Sequence, residues 1–138
     1  MLIVGAARDS LELIKGRGLK AARTAAVLKT IERDFASADL SAERAGLLLG
    51  ITARQVHRLL EETTKTFYEH VLERRLIESR RLLMDRACAA LKVADIALRA
   101  GFVDPSYFNR AFRTRFGNTP TDVRATAARA RTAHLLRA

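Results

Sequence analysis

Apolar positions over residues 96–113 form two helical runs parted by one glycine. Ala97 lies four residues before Gly101, a spacing that lets two helices cross closely at a tight turn. Asp104 suits the N-cap of the second helix and Pro105 its first position. Beyond them Phe108, Ala111 and Phe112 share one face, while Ser106, Asn109, Arg110 and Arg113 share the opposite one. The pattern predicts helix, turn, helix, with one side buried and the other polar and basic. The same design occurs earlier, over Leu40–Glu62. Ser41 is an N-cap with Glu43 in the first turn, and Gly46 and Gly50 stand four apart. Thr52-Ala53-Arg54-Gln55 has capping-box form and starts a new helix. On that helix Val56, Leu59, Leu60 and Thr63 point one way, and Arg54, His57, Arg58 and Glu61 the other.

The two units are an internal duplication. Leu40, Gly46, Gly50 and Ile51 match Leu91, Ala97, Gly101 and Phe102. The second turn then carries one extra residue. After it Thr52, Arg54, Val56, His57, Arg58 and Leu60 match Asp104, Ser106, Phe108, Asn109, Arg110 and Phe112. Between the units, Thr66–Met84 is helical by content, with Phe67, Val71, Leu72, Leu76, Leu82 and Leu83 apolar. A helix of that size runs about 28 Å, close to the ~34 Å of one DNA turn. It suits a spacer that holds two readers one turn apart. Asp85–Ala90 is expected to be a loop.

Flanking pieces are less definite. Ala22, Ala26, Leu28, Ile31 and Phe35 recur at helical spacing and predict a helix over 21–35. In residues 1–20, Leu2–Ala7 suits either a short strand or a helix end. Asp9–Lys15 suits a helical turn or two, broken by Gly16 and Gly18. At the other end Thr119 and Pro120 start a short helix through Arg124, and 125–138 either continues it or frays.

Charge gives the pattern a direction. The 138 residues carry a net charge of +10, which points to a polyanionic partner, nucleic acid before an acidic membrane surface. Arginine supplies 20 of the 25 basic residues, the better type for bidentate contact with guanine or phosphate. Cys88 is the only cysteine, so no internal disulfide is available. One cysteine and three scattered histidines build no zinc cluster. The apolar start meets Arg8 and Asp9 too soon for a signal peptide or a membrane span. A cytoplasmic protein is expected, with no cofactor and no catalytic residue.

The segment Ile96–Arg124 reads I-A-x-x-x-G-F-x-D-x-S-Y-F-x-R-x-F-R-x-x-F-G-x-T-P-x-x-x-R. It resembles the C-terminal signature of the AraC/XylS family of bacterial transcription regulators. Leu40-Ser41, Arg58-Leu59 and Phe67–Leu83 fit the same family's first unit and linker helix. The resemblance covers about residues 22–124. It implies an all-α, seven-helix double helix-turn-helix: two homeodomain-like three-helix units, 22–65 and 91–124, joined by a linker helix over 66–84. By position, the first reader carries Arg54, His57 and Arg58, and the second carries Ser106, Tyr107, Asn109 and Arg110. The family reads double-stranded DNA in adjacent major grooves and recruits RNA polymerase, often as an activator. Residues 1–21 resemble either a leader or the junction after an upstream sensing and dimerisation domain, which would then bind any effector. Residues 125–138 form a tail.

Departures from the family pattern carry weight. Gly46 stands where alanine is usual, at a cost of about 1 kcal/mol in a helix interior. Lys92 replaces the usual Ser/Thr cap of its helix. Each candidate also has a plainer reading. Arg54, His57, Arg58 and Arg110 are DNA contacts or solvated surface side chains. Ser106 and Asn109 reach a base edge or a phosphate, and Tyr107 reaches a phosphate or packs on the helix pair. Phe102, Phe108, Phe112 and Phe116 are core. Arg75 either ties the two halves by hydrogen bonds or lies at the surface, and Arg129, Arg131 and Arg137 belong to a solvated tail or graze the backbone. A protein-interaction module is the competing function. An enzyme lacks its reactive groups.

Overall fold

A computed structural model describes residues 2–137, with side chains from residue 7 onward. Among the described residues there are seven α-helices, one 3-10 turn and no strand. The helices are α1 (Leu2–Asp34), α2 (Ala42–Leu49), α3 (Ala53–Leu60), α4 (Phe67–Met84), α5 (Val93–Arg99), α6 (Pro105–Phe116) and α7 (Pro120–Arg137). The 3-10 turn, Arg86–Cys88, lies inside the stretch read as a loop.

Local chemistry sets the helix starts. Ser41 Oγ accepts from the Arg44 N–H at 3.1 Å. Thr52 and Gln55 form a reciprocal capping box. The Asp104 side chain accepts from the Ser106 N–H, and Pro105 takes the first position of α6. The Thr119 hydroxyl accepts from the Asp122 N–H at 3.1 Å, and the Asp122 carboxylate accepts from the Thr119 N–H at 3.4 Å. Lys92 caps α5 without a side-chain hydrogen bond, as its residue type requires.

The duplication extends to the hydrogen bonds of the turns. In the first unit the Ile51 N–H donates to the Gly46 carbonyl at 2.9 Å. In the second, the Phe102 N–H donates to the Ala97 carbonyl at 2.9 Å. Both turns are made by glycines at positive φ, Gly50 at 71° and Gly101 at 104°.

Two compact units result. The first holds the chain up to Arg33 together with Leu40–Tyr68. The second holds Asp34–Asp39 and the chain from Glu69 onward. Buried apolar side chains of the first are Val27, Ile31, Leu40, Ala42, Ala45, Val56, Leu59, Leu60 and Phe67. In the second, Leu76, Leu82 and Leu83 of α4 form one cluster with Cys88, Ile96, Ala97, Ala100, Phe102, Phe108 and Phe112. Phe116 packs against that cluster half-buried. Through these residues α4 is a wall of the second unit's core.

Several expectations change. Gly16 and Gly18 do not break the chain, and α1 runs unbroken from Leu2 to Asp34. A mid-helix glycine costs only about 1 kcal/mol, which a long cooperative helix absorbs. No strand forms over the described part of 2–7. The inward face of α1 is set by Val27, Thr30 and Ile31, while Ala22 is exposed. Thr63 lies past the end of α3, in a turn where its hydroxyl, with one proton to share, sits 2.7 Å from both the Leu60 and Lys65 carbonyls. The final helix continues past Arg124 to Arg137. Arg131 is no free tail residue, since its guanidinium donates to the Met84 carbonyl at 2.7 Å.

Gly46 also reads differently in the structure. A Cβ there would lie 2.5 Å from the Ile51 carbonyl oxygen, inside contact distance with main chain. The shorter first turn folds back over position 46, so the missing side chain is a steric requirement. Helix propensity alone makes Gly46→Ala stabilising by about 1 kcal/mol. We expect the opposite sign, a loss of about 1–3 kcal/mol from overpacking, read as a lowered urea midpoint. A raised midpoint would restore the propensity argument.

Candidate nucleic-acid interface

The first candidate surface is built on α3. Val56, Leu59 and Leu60 are buried, which turns Arg54, His57, Arg58 and Glu61 outward. The capping box holds the first turn of this eight-residue helix. The His57 ring meets two aromatic rings at the start of α4, Phe67 edge-on at 6.4 Å and Tyr68 at 6.0 Å. His57 is therefore exposed yet leaned against a wall, while Arg54 and Arg58 extend freely. These three residues share one recess with Glu43 and Glu61, whose carboxylates flank the basic face.

The second candidate surface is built on α6. Phe108 and Phe112 are buried, and Ser106, Tyr107, Asn109 and Arg110 are exposed on the other side. Tyr107 sits at the edge of that face, with its ring 6.3 Å from Phe102. Packing on the helix pair is thus part of its role, and 45% of its surface stays open. Arg115 fastens α6 to α4: its Nε and Nη2 donate to the two Glu73 carboxylate oxygens at 2.9 and 2.8 Å. That fork and the negative charge raise the Arg115 pKa above its ordinary value. Nothing in the local sequence pairs Glu73 with a residue so far along the chain.

Arginines here divide into two groups. Arg75 donates to the Phe35 and Ser37 carbonyls at 2.7 and 2.9 Å, Arg81 grips Glu78 at 2.8 Å, Arg115 grips Glu73 and Arg131 reaches Met84. Burial pushes the Arg75 pKa down, partly opposed by the Tyr107 side chain. By contrast, the side chains of Arg54, Arg58, Arg110 and Arg113 make no hydrogen bond or ion pair among the described residues. Other surface arginines are free as well. Only those on α3 and α6 recur at matched positions of a duplicated unit, which sets Arg58 and Arg110 apart. Among the described residues there is no group of three or more metal-ligating side chains.

Comparison with known proteins follows the same lines. A family profile described as a helix-turn-helix domain matches residues 47–126. The chain is 34% identical over 108 residues to the transcriptional activator RhrA of Rhizobium meliloti (strain 1021), covering 78% of this chain and 34% of that protein. It spans 34%, 27% and 22% of the lengths of the first three curated relatives it matches. Among solved structures, a transcriptional regulator of Chromobacterium violaceum with an AraC-type DNA-binding domain superposes with a TM-score of 0.66 at 25% identity. That match covers 83% of this chain and 96% of the other. The C-terminal domain of AraT, a response regulator from Geobacillus stearothermophilus, superposes with a TM-score of 0.68 at 24% identity, over 75% of this chain and 84% of that one. The second likeness bears on the fold alone.

The α3 surface rests on its cap. Thr52→Ala removes the hydroxyl that accepts from the Gln55 N–H at 3.1 Å. We expect a loss of about 1 kcal/mol, with faster amide hydrogen exchange in α3 and unchanged exchange in α6. Equal acceleration in both helices would show that the cap is not local to the first unit.

Proposed function

The chain belongs to the AraC/XylS family of bacterial transcription regulators, and from that premise we propose that it binds a specific double-stranded DNA sequence through α3 and α6, seated in successive major grooves. This is a family of regulators and not of enzymes. The observation that carries the reading is the duplicated free arginine, Arg58 and Arg110, each on the open side of a helix whose back is buried. Free guanidiniums on a presented helix face are what bidentate contact with guanine or phosphate needs. Arg54, His57 and Arg58 contact DNA from α3, and Ser106, Tyr107, Asn109 and Arg110 contact it from α6. One uninterrupted helix, α4, runs from the first unit into the second.

Contact with RNA polymerase is the second part of the reading. Leu47 and Leu98 hold the same place in the duplicated units and are 83% and 62% exposed. Single exposed leucines are ordinary on a protein surface, so this part of the reading rests on the family. An effector, if one exists, binds an upstream domain; this chain aligns with only 34% of the length of the relative RhrA. The protein works in the cytoplasm. Among the described residues no helix is long and apolar enough to cross a membrane.

Two measurements test the reading, both on duplexes selected from a random pool. Arg110→Ala is expected to cost roughly 1–3 kcal/mol in binding and to relax preference at one base pair. Uniform weakening across all sequences would make Arg110 a phosphate contact. A footprint is expected to show two protected elements about 10 bp apart. Protection confined to one groove would overturn the two-reader form.

A further inference from the structure

The inward face of α1 changes character along its length. Ile31 and Val27 are buried, and the Thr24 hydroxyl is shared between the Lys20 carbonyl at 2.9 Å and the Leu59 carbonyl at 3.3 Å. One turn further back the same stripe becomes Arg23, Lys20 and Gly16. These residues border a recess of about 350 Å³ whose far wall is α3, with Gln55 and Arg58 facing in and Leu19 and Leu59 among its apolar lining. The Lys20 ammonium is taken, held by Glu62 at 2.7 Å. Arg23 and Arg58 are left, two guanidiniums on one cavity, neither with a hydrogen bond or ion pair among the described residues. Glu61 at the rim offsets one of these charges and leaves the other uncompensated. Like charges set around one cavity are a local conflict, and such conflicts mark functional sites.

We propose that this recess seats a phosphate of the DNA backbone, held by Arg23 of α1 beside Arg58 of α3. The inference rests on the DNA-binding reading above and adds a residue to it that lies outside both recognition helices. Arg58 borders both the open face of α3 and the recess, so the two surfaces are continuous. In helix-turn-helix complexes the reader lies in the major groove and the first helix of the motif, here α2, crosses the backbone, so phosphates lie close around the reader. The recess opens beside Arg58 on the reader itself, so a backbone phosphate flanking the groove entered by α3 would meet Arg23 there. Such a contact positions the protein and carries no base preference.

The test compares the whole chain with Arg23→Ala on a selected duplex and on an unrelated one, across a range of salt. Arg23→Ala is expected to weaken both about equally, between roughly threefold and tenfold, and to lower the slope of log K against log salt by about 1. Arg23→Lys should recover most of the loss, and the thermal midpoint should stay unchanged. Ethylation interference should reveal one phosphate, outside the groove read by α3, whose modification harms the native chain and not Arg23→Ala. Native affinity and slope in Arg23→Ala, an unaltered interference pattern, or a changed preference at a single base pair would each overturn the proposal. If the native chain binds neither duplex, the DNA reading itself fails. If it binds and Arg23→Ala binds alike, only the seat fails.

Discussion

Arg75 and Gly101 form the contact on which the second unit depends. The Arg75 guanidinium donates to two main-chain carbonyls, Phe35 and Ser37, in the loop after α1. Gly101 admits it: a Cβ there would stand 2.7 Å from the Arg75 Nε and 2.8 Å from the Phe35 oxygen. Its φ of 104° is itself a conformation that side chains avoid. Three segments far apart in sequence thus meet where one residue has no side chain. The arginine is half-buried against neutral carbonyl acceptors, and its lost hydration lowers its pKa, partly opposed by the Tyr107 side chain. This knot explains why residues 34–39 belong to the second unit although α1 and α2, on either side of them, belong to the first.

The same knot shows what the sequence made legible. Caps were readable because their partners lie within three residues: Ser41 with Arg44, Thr52 with Gln55, Asp104 with Ser106, Thr119 with Asp122. The core phenylalanines and the outward faces of α3 and α6 were readable from helical period alone. Arg75 was left between a tie and a surface residue, because its carbonyl partners lie some forty positions away and main-chain acceptors have no signature in sequence. Arg115 with Glu73, and Arg131 with the Met84 carbonyl, were hidden for the same reason. The extent of α1 was hidden for another. Gly16 and Gly18 each weigh about 1 kcal/mol against a helix, a penalty that reads as a stop in a pattern and is not one in a cooperative element.

Gly46 marks the limit of reasoning from propensity. The duplication aligns it with Ala97, and the main-chain hydrogen bond that closes each turn is the same length in both units. The turns are not the same size. The second carries one more residue, and its matched position holds alanine. The shorter first turn brings the Ile51 carbonyl over position 46, and only glycine fits. A difference of one residue in a loop has therefore dictated residue identity in the preceding helix. Substitution costs at matched sites of a duplicated protein are not transferable without the turn between them.

That asymmetry extends to the two presented helices. The second, α6, has 12 residues, a proline at its first position and a two-bond ion pair to α4. The first, α3, has eight residues, a capping box, and a histidine that leans on two aromatic rings. A short helix with few side-chain anchors places its outward groups less firmly. Groups placed less firmly discriminate less, because each contact must first overcome the entropy of ordering its side chain. What the first unit has instead is α1. The Thr24 hydroxyl reaches the Leu59 carbonyl at 3.3 Å and Lys20 reaches Glu62 at 2.7 Å, so one long helix braces α3 and the turn after it. The unbroken run of α1 through Gly16 is therefore part of the support of α3: a break there would shorten the brace where it borders Arg58.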